Sequence, residues 1–177
     1  MEFNPERFAF EHENKPAKIV IKKEHHKIIV AGQTLGPLRE GERMEVPRWQ
    51  ADILVKHGIA EYQDEEEIDV SKLHNILWKE TSDVKLGELD EDFYFEIRKM
   101  LRSLREQNKK EPTPITSQKL EQVEVPVRDL ISARLSKMVK MALKDVHPSL
   151  TGTMVSEELW LYERLAKLIR DWSSMIF

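Results

Sequence analysis

The chain has 177 residues, 40% of them apolar and 34% charged, with no cysteine and a formal net charge of −4. That length supports a hydrophobic core without disulfides or a structural metal, and the missing cysteine excludes thiol catalysis and cysteine-ligated zinc. The longest unbroken apolar runs, Ile28 to Ala31 and Leu159 to Tyr162, fall far short of the roughly twenty residues a membrane-spanning helix needs. The opening residues MEFNPERFAF lack the basic-then-apolar pattern of a secretory signal. An intracellular protein without a membrane partner is the expectation.

The first third of the chain reads as β. Lys18 to Lys22 and Lys27 to Ala31 are short β-branched runs, and Glu24, His25 and His26 between them suit a tight polar turn. Gly32-Gln33, Gly36-Pro37 and Glu40-Gly41-Glu42 are further turn signals. Arg43 to Val46 alternates polar and apolar like a strand. Pro47 then opens a short helix in which Ala51, Leu54 and Val55 share one face, Gly58 is its expected stop, and Ile59 to Gln63 is a last strand. Trp49 and Leu54 are expected in the core of this small domain or in contact with a partner.

Asp64 to Asp69 is an acidic run, the expected linker over 64–70. From Ser71, an expected N-cap, the pattern turns helical, with Leu73, Ile76 and Leu77 on one face. Asp90, Glu91 and Asp92 open a second helix, where acidic groups favour the helix dipole; Phe93, Ile97, Met100, Leu101 and Leu104 form its stripe. Glu111 to Ser117 reads as a proline-broken loop. A third helical stretch spans about 118–144, in two pieces or kinked at Pro126, with Val127, Leu130, Ile131, Leu135, Met138, Val139 and Ala142 at spacings of three and four. A last helix starts near Ser156. It carries two adjacent apolar stripes, Leu161, Leu165, Leu168 and Trp172 beside Tyr162, Ala166 and Ile169, which is wider than a surface helix needs. The fold class expected is α+β: a small N-terminal β-domain with one short helix (1–63), the acidic linker (64–70), and a larger all-α bundle of four or five helices (71–177).

Chemistry is sparse. The six glycines never cluster into a phosphate loop, and neither a GxSxG elbow nor an HExxH helix is present. Side chains of neighbouring strand residues point to opposite faces, so His25 and His26 read as exposed turn residues and not as a metal pair. No catalytic residue, metal or cofactor is expected, and an enzyme is not. Charge is unevenly spread: 1–62 is neutral, 63–92 carries −8, 93–110 carries +4 and 111–177 is neutral. No region is basic enough for an obvious nucleic-acid footprint, so DNA binding by this chain alone is not expected. A nucleic-acid-binding module built on the β-domain, with Trp49 and the lysines near His25, is the alternative reading.

Several segments together resemble subunits of GINS, a DNA replication complex that works with the MCM helicase. Leu89-Asp90-Glu91-Asp92-Phe93-Tyr94, then Val125-Pro126-Val127-Arg128-Asp129-Leu130 followed by Ala133-Arg134-Leu135 and Lys137-Met138, and then Ser156-Glu157-Glu158 with Leu161-Tyr162-Glu163-Arg164-Leu165 and Ile169-Arg170-Asp171-Trp172 are similar to the family's helical A-domain. Leu38-Arg39-Glu40-Gly41-Glu42 and Val46-Pro47-Arg48-Trp49 resemble its small B-domain. The B-first order resembles the archaeal "two-three" subunit, the counterpart of the two B-first eukaryotic subunits. The resemblance implies a non-catalytic assembly protein at the replication fork, in the cytoplasm beside the nucleoid. Its implied partners are an A-first GINS subunit within a heterotetramer, the MCM helicase, a RecJ-like protein, and primase or a DNA polymerase. On that footing Leu161, Leu165, Leu168 and Trp172 are the expected subunit-interface residues, with Phe93 and Tyr94 beside them.

Overall fold

The structure is a computed structural model that describes residues 5–63, 68–144, 146 and 153–176. Its elements in chain order are α1 (Pro5–Glu13), β1 (Pro16–Ile21), β2 (Ile28–Val30), β3 (Gln33–Leu35), β4 (Arg43–Pro47), α2 (Arg48–Lys56), β5 (Ala60–Tyr62), α3 (Val70–Ser82), α4 (Phe93–Lys110), α5 (Pro114–Leu143) and α6 (Ser156–Ser174). They fall into two units, Met1–Glu66 and Glu67–Phe177. A small sheet region with short helices precedes a larger helical bundle, so the α+β fold class is the observed one.

In the first unit β1 is the central strand of an antiparallel sheet ordered β4-β1-β5. Ala17, Ile19 and Ile21 alternate inward along β1, and the register sets Ala17 opposite Val46 and Ile21 opposite Ala60, so apolar side chains meet on one face. Ala51 and Leu54 of α2 are buried in the same core, with Trp49 half-buried against it. Gly58 follows the C-cap of α2 with φ +66°, the left-handed position that glycine takes without a Cβ penalty. One expectation needs correction. Glu24 to His26 do not join two paired strands: β2 pairs with β3 through Ala31 and Gly32, both at positive φ, as a two-residue hairpin turn demands. His25 bridges backbone to backbone with Leu38 instead. The helix α1 was not expected from the sequence.

The second unit holds α3 to α6. Two helix starts differ from the sequence reading, each for a capping reason, and the linker ends earlier than expected. Asp69, not Ser71, caps α3: its Oδ1 accepts the Lys72 N–H at 2.6 Å. Ile68 is buried with Leu73 and Phe93, so the expected linker's last residues belong to the bundle, while its acidic residues 64–67 lie outside the described ones. The loop expected over 111–117 already contains the start of α5. Thr113 and Thr116 exchange side-chain and backbone hydrogen bonds in a capping box, with Pro114 in the first turn. Pro126 sits inside α5, which continues through it as one helix of 30 residues.

Candidate interaction surface

The inward face of α5 is the spine of the bundle. Val123, Val127 and Leu130 pack into a cluster with Leu73, Phe93 and Ile97, and Met138 and Ala142 into another with Leu86, Tyr162 and Ala166. Between them, at the same helical spacing, stands Arg134 with 0% of its surface exposed. Its guanidinium forks onto Glu158 of α6, Nε to Oε1 at 2.6 Å and Nη2 to Oε2 at 2.7 Å. Nη1 donates to Glu80 Oε2 of α3 at 2.7 Å and to the Gly87 carbonyl at 2.8 Å. Tyr94 of α4 donates to Glu158 Oε1 at 2.5 Å, and Lys137 Nζ lies 2.6 Å from Glu80 Oε1. Two carboxylates face two cations, and all four helices contribute. Gly87 has a steric reason as well: a Cβ there would stand 2.9 Å from Glu80 Oε2.

Burial alone would pull Arg134 down, but the hydrogen bonds and charge of Glu158, with Glu80, hold it above the ordinary arginine value. Burial and then the Glu158 charge raise Tyr94 well above the ordinary 10.0, so it stays a neutral donor. The cluster is charge-balanced and ties four helices together; Glu80 and Lys137 also line a groove of about 770 Å³.

The consequence lies on α6. Arg134 and Tyr94 hold Glu158 inward, which turns Tyr162 and Ala166 inward after it, one helical turn at a time; the Tyr162 hydroxyl donates to the Val146 carbonyl. Of the two expected stripes, Tyr162, Ala166 and Ile169 therefore face the bundle's own core, with Leu165 half-buried against it. The other stripe stays open: Leu161 is 40%, Leu168 67% and Trp172 62% exposed. Beyond Ala166 no described residue is buried, and Leu168, Trp172, Met175 and Ile176 are all exposed large apolar side chains.

The remaining expected interface residues sit elsewhere. Phe93 is buried inside its own bundle and meets Tyr94 edge-to-face at 5.4 Å. That corrects its expected role, because a side chain already enclosed by α3 and α5 has no surface left for another subunit. Tyr94 is half-buried and committed to Glu158. In the first unit Leu54 is core and Trp49 is half-buried. Of the apolar positions read along α5, Ile131 and Leu135 are exposed, and Arg134 is buried instead. Among the described residues no three His, Asp or Glu side chains gather to hold a metal, and no helix is long and apolar enough to cross a membrane.

The bundle closes around a polar cluster and leaves one apolar stripe of its terminal helix exposed, and exposed apolar stripes are where proteins meet partners. The model of the GINS complex protein helical bundle domain (Sld5) matches residues 61–177, and the chain belongs to that family. No curated protein matches the chain.

Proposed function

We propose that this chain is a non-catalytic subunit of the GINS DNA replication complex, of the B-domain-first class related to the archaeal "two-three" subunit. It assembles with an A-first GINS subunit into a heterotetramer, and the assembly bridges or activates the MCM helicase at the fork. A RecJ-like protein, primase or a DNA polymerase are its further contacts. Such a protein works by binding: it holds partners together and raises their effective concentration.

The bare end of α6 carries this reading. A helix end whose own bundle leaves it uncovered gains little from helix propensity alone; Leu161, Leu168 and Trp172, with Leu165 at their edge, give it a stripe that a neighbouring helix would cover. The family match over the bundle supports the choice of partner. The test is light scattering after size-exclusion chromatography, on the chain alone and mixed with the A-first subunit of the same organism. The expected result is one species containing both proteins at about four times the mass of this chain. A monomer that ignores that subunit would sink the proposal, and salt-dependent binding of the monomer to DNA would point to the β-rich unit instead.

A further inference from the structure

Another face of the bundle is unused by assembly through α6. Arg98, Arg102, Arg105 and Lys109 follow one another at four, three and four residues, so they lie along one flank of α4. All four are exposed, and the row is about 16 Å long at the helical rise. It borders two shallow grooves of 390 and 270 Å³ that share Leu101 and Arg105. Leu101, Val127 and the 44%-exposed Ile131 give the second groove an apolar lining, and Arg128 of α5 stands at its rim. Arg105 is held by Glu124 at 2.5 Å, and Arg98 lies 3.6 Å from Glu157. The side chains of Arg102, Lys109 and Arg128 have no ion pair or hydrogen bond among the described residues.

We propose that this α4–α5 face is a docking groove for an acidic segment of a partner protein that carries apolar side chains between its carboxylates. Charge complementarity selects the occupant. Arginine forks pair with carboxylates in two-point contacts, and Leu101 and Ile131 ask for an apolar side chain between those contacts. A nucleic-acid backbone meets only the first demand.

Fluorescence anisotropy on the full chain tests this with three labelled probes: a short peptide of alternating glutamate and leucine, the same peptide with serine for leucine, and oligo-dT. The glutamate–leucine peptide should bind, more weakly as salt rises, and the serine peptide roughly tenfold less well. Arg102→Glu with Arg128→Glu should weaken the first peptide by roughly tenfold or more, and Ile131→Ser should weaken it severalfold. These side chains are exposed, so thermal unfolding of the variants should match the parent and separate lost binding from lost folding. No binding of the glutamate–leucine peptide, equal binding of the serine peptide, or indifference to the substitutions would overturn the groove. So would oligo-dT binding that needs the arginines and ignores Ile131.

Discussion

Ile19, Ile21, Ala51 and Leu54 close the core of the β-rich unit against one another, whereas the helical unit buries Arg134 between Glu80 and Glu158 and leaves Leu168 and Trp172 in solvent. Apolar packing is non-directional and tolerates small shifts of one element on another. A guanidinium with its donors assigned to two carboxylates and two backbone carbonyls does not, because a shift of one helical step would leave a buried charge unpaired. The first unit closes its core mainly by apolar packing, although Phe10 and Ile29 stay exposed. The second spends directional bonds on the orientation of α6, the helix whose outer stripe it leaves bare. Fixed orientation matters most where a surface must match another surface.

The sharpest way to break this contrast is to remove the pin. Arg134→Ala strands the buried Glu158 carboxylate and leaves Glu80 with Lys137 alone, and should cost about 3–5 kcal/mol in urea unfolding, with the first unit's transition unmoved. A loss under about 1 kcal/mol, the value of an exposed pair, would mean that the cluster is wet and fixes nothing. The open stripe should behave in the opposite way. Leu168→Asp with Trp172→Ala should leave unfolding within about 0.5 kcal/mol of the parent, as surface changes do, while abolishing co-assembly with the A-first subunit in light scattering. Normal assembly by that variant would take the interface off α6.

A smaller effect reads the pin through pH. The Tyr94 hydroxyl is held above its ordinary value of 10.0 by burial and by Glu158. The unfolded chain therefore releases this proton first as pH rises past about 10, and the stability it provides, complete below that pH, declines above it. Tyr94→Phe should lose about 1 kcal/mol at neutral pH, the net worth of one hydrogen bond, and should flatten the alkaline decline. Equal alkaline slopes in parent and variant would place Tyr94 outside the cluster.

What the sequence discloses follows the range of the interactions. The α2 helix with its Gly58 stop and the start of α6 near Ser156 rest on neighbours within one turn, and all were legible. So was the presence of two apolar stripes on α6. Which stripe faces inward was not, since that is set by Glu158 reaching Arg134 across 24 positions and Arg134 reaching Glu80 across 54. The same range hides which positions of α5 face inward: Ile131 and Leu135 are exposed and Arg134 is buried, because the carboxylates that make the arginine buriable lie on other helices. Tyr94, Arg134, Lys137 and Glu158 all fall within the segments that resemble GINS A-domains, yet as letters they gave no sign that they meet. The β1, β4 and β5 strands were each recognisable from their local patterns, but that β4 and β5 flank β1 was not, because strand pairing is a long-range choice. The starts of α3 and α5 could have been read better: Asp69 precedes Lys72 by the capping distance, and Thr113 stands directly before Pro114, both usable N-terminal signals.

The smallest expected effect is no effect at all, and it tests whether the two units divide their labour. If assembly rests on α6, a chain of residues 68–177 should enter the same complex with the same stoichiometry as the full chain, and residues 1–63 should fold alone into their own core. The cut has to fall before Ile68. That side chain is buried with Leu73 and Phe93, and Asp69 caps the first turn of α3. A chain beginning at Ser71 loses both, at a cost of about 1 kcal/mol for the cap and about 2 kcal/mol for the isoleucine. It would then fail through instability and imitate a missing interface. Comparing the two starts by urea unfolding and light scattering separates the causes. If the 68–177 chain unfolds like the helical part of the parent yet does not co-assemble, the β-rich unit supplies part of the binding surface, and the open stripe on α6 is not sufficient for it.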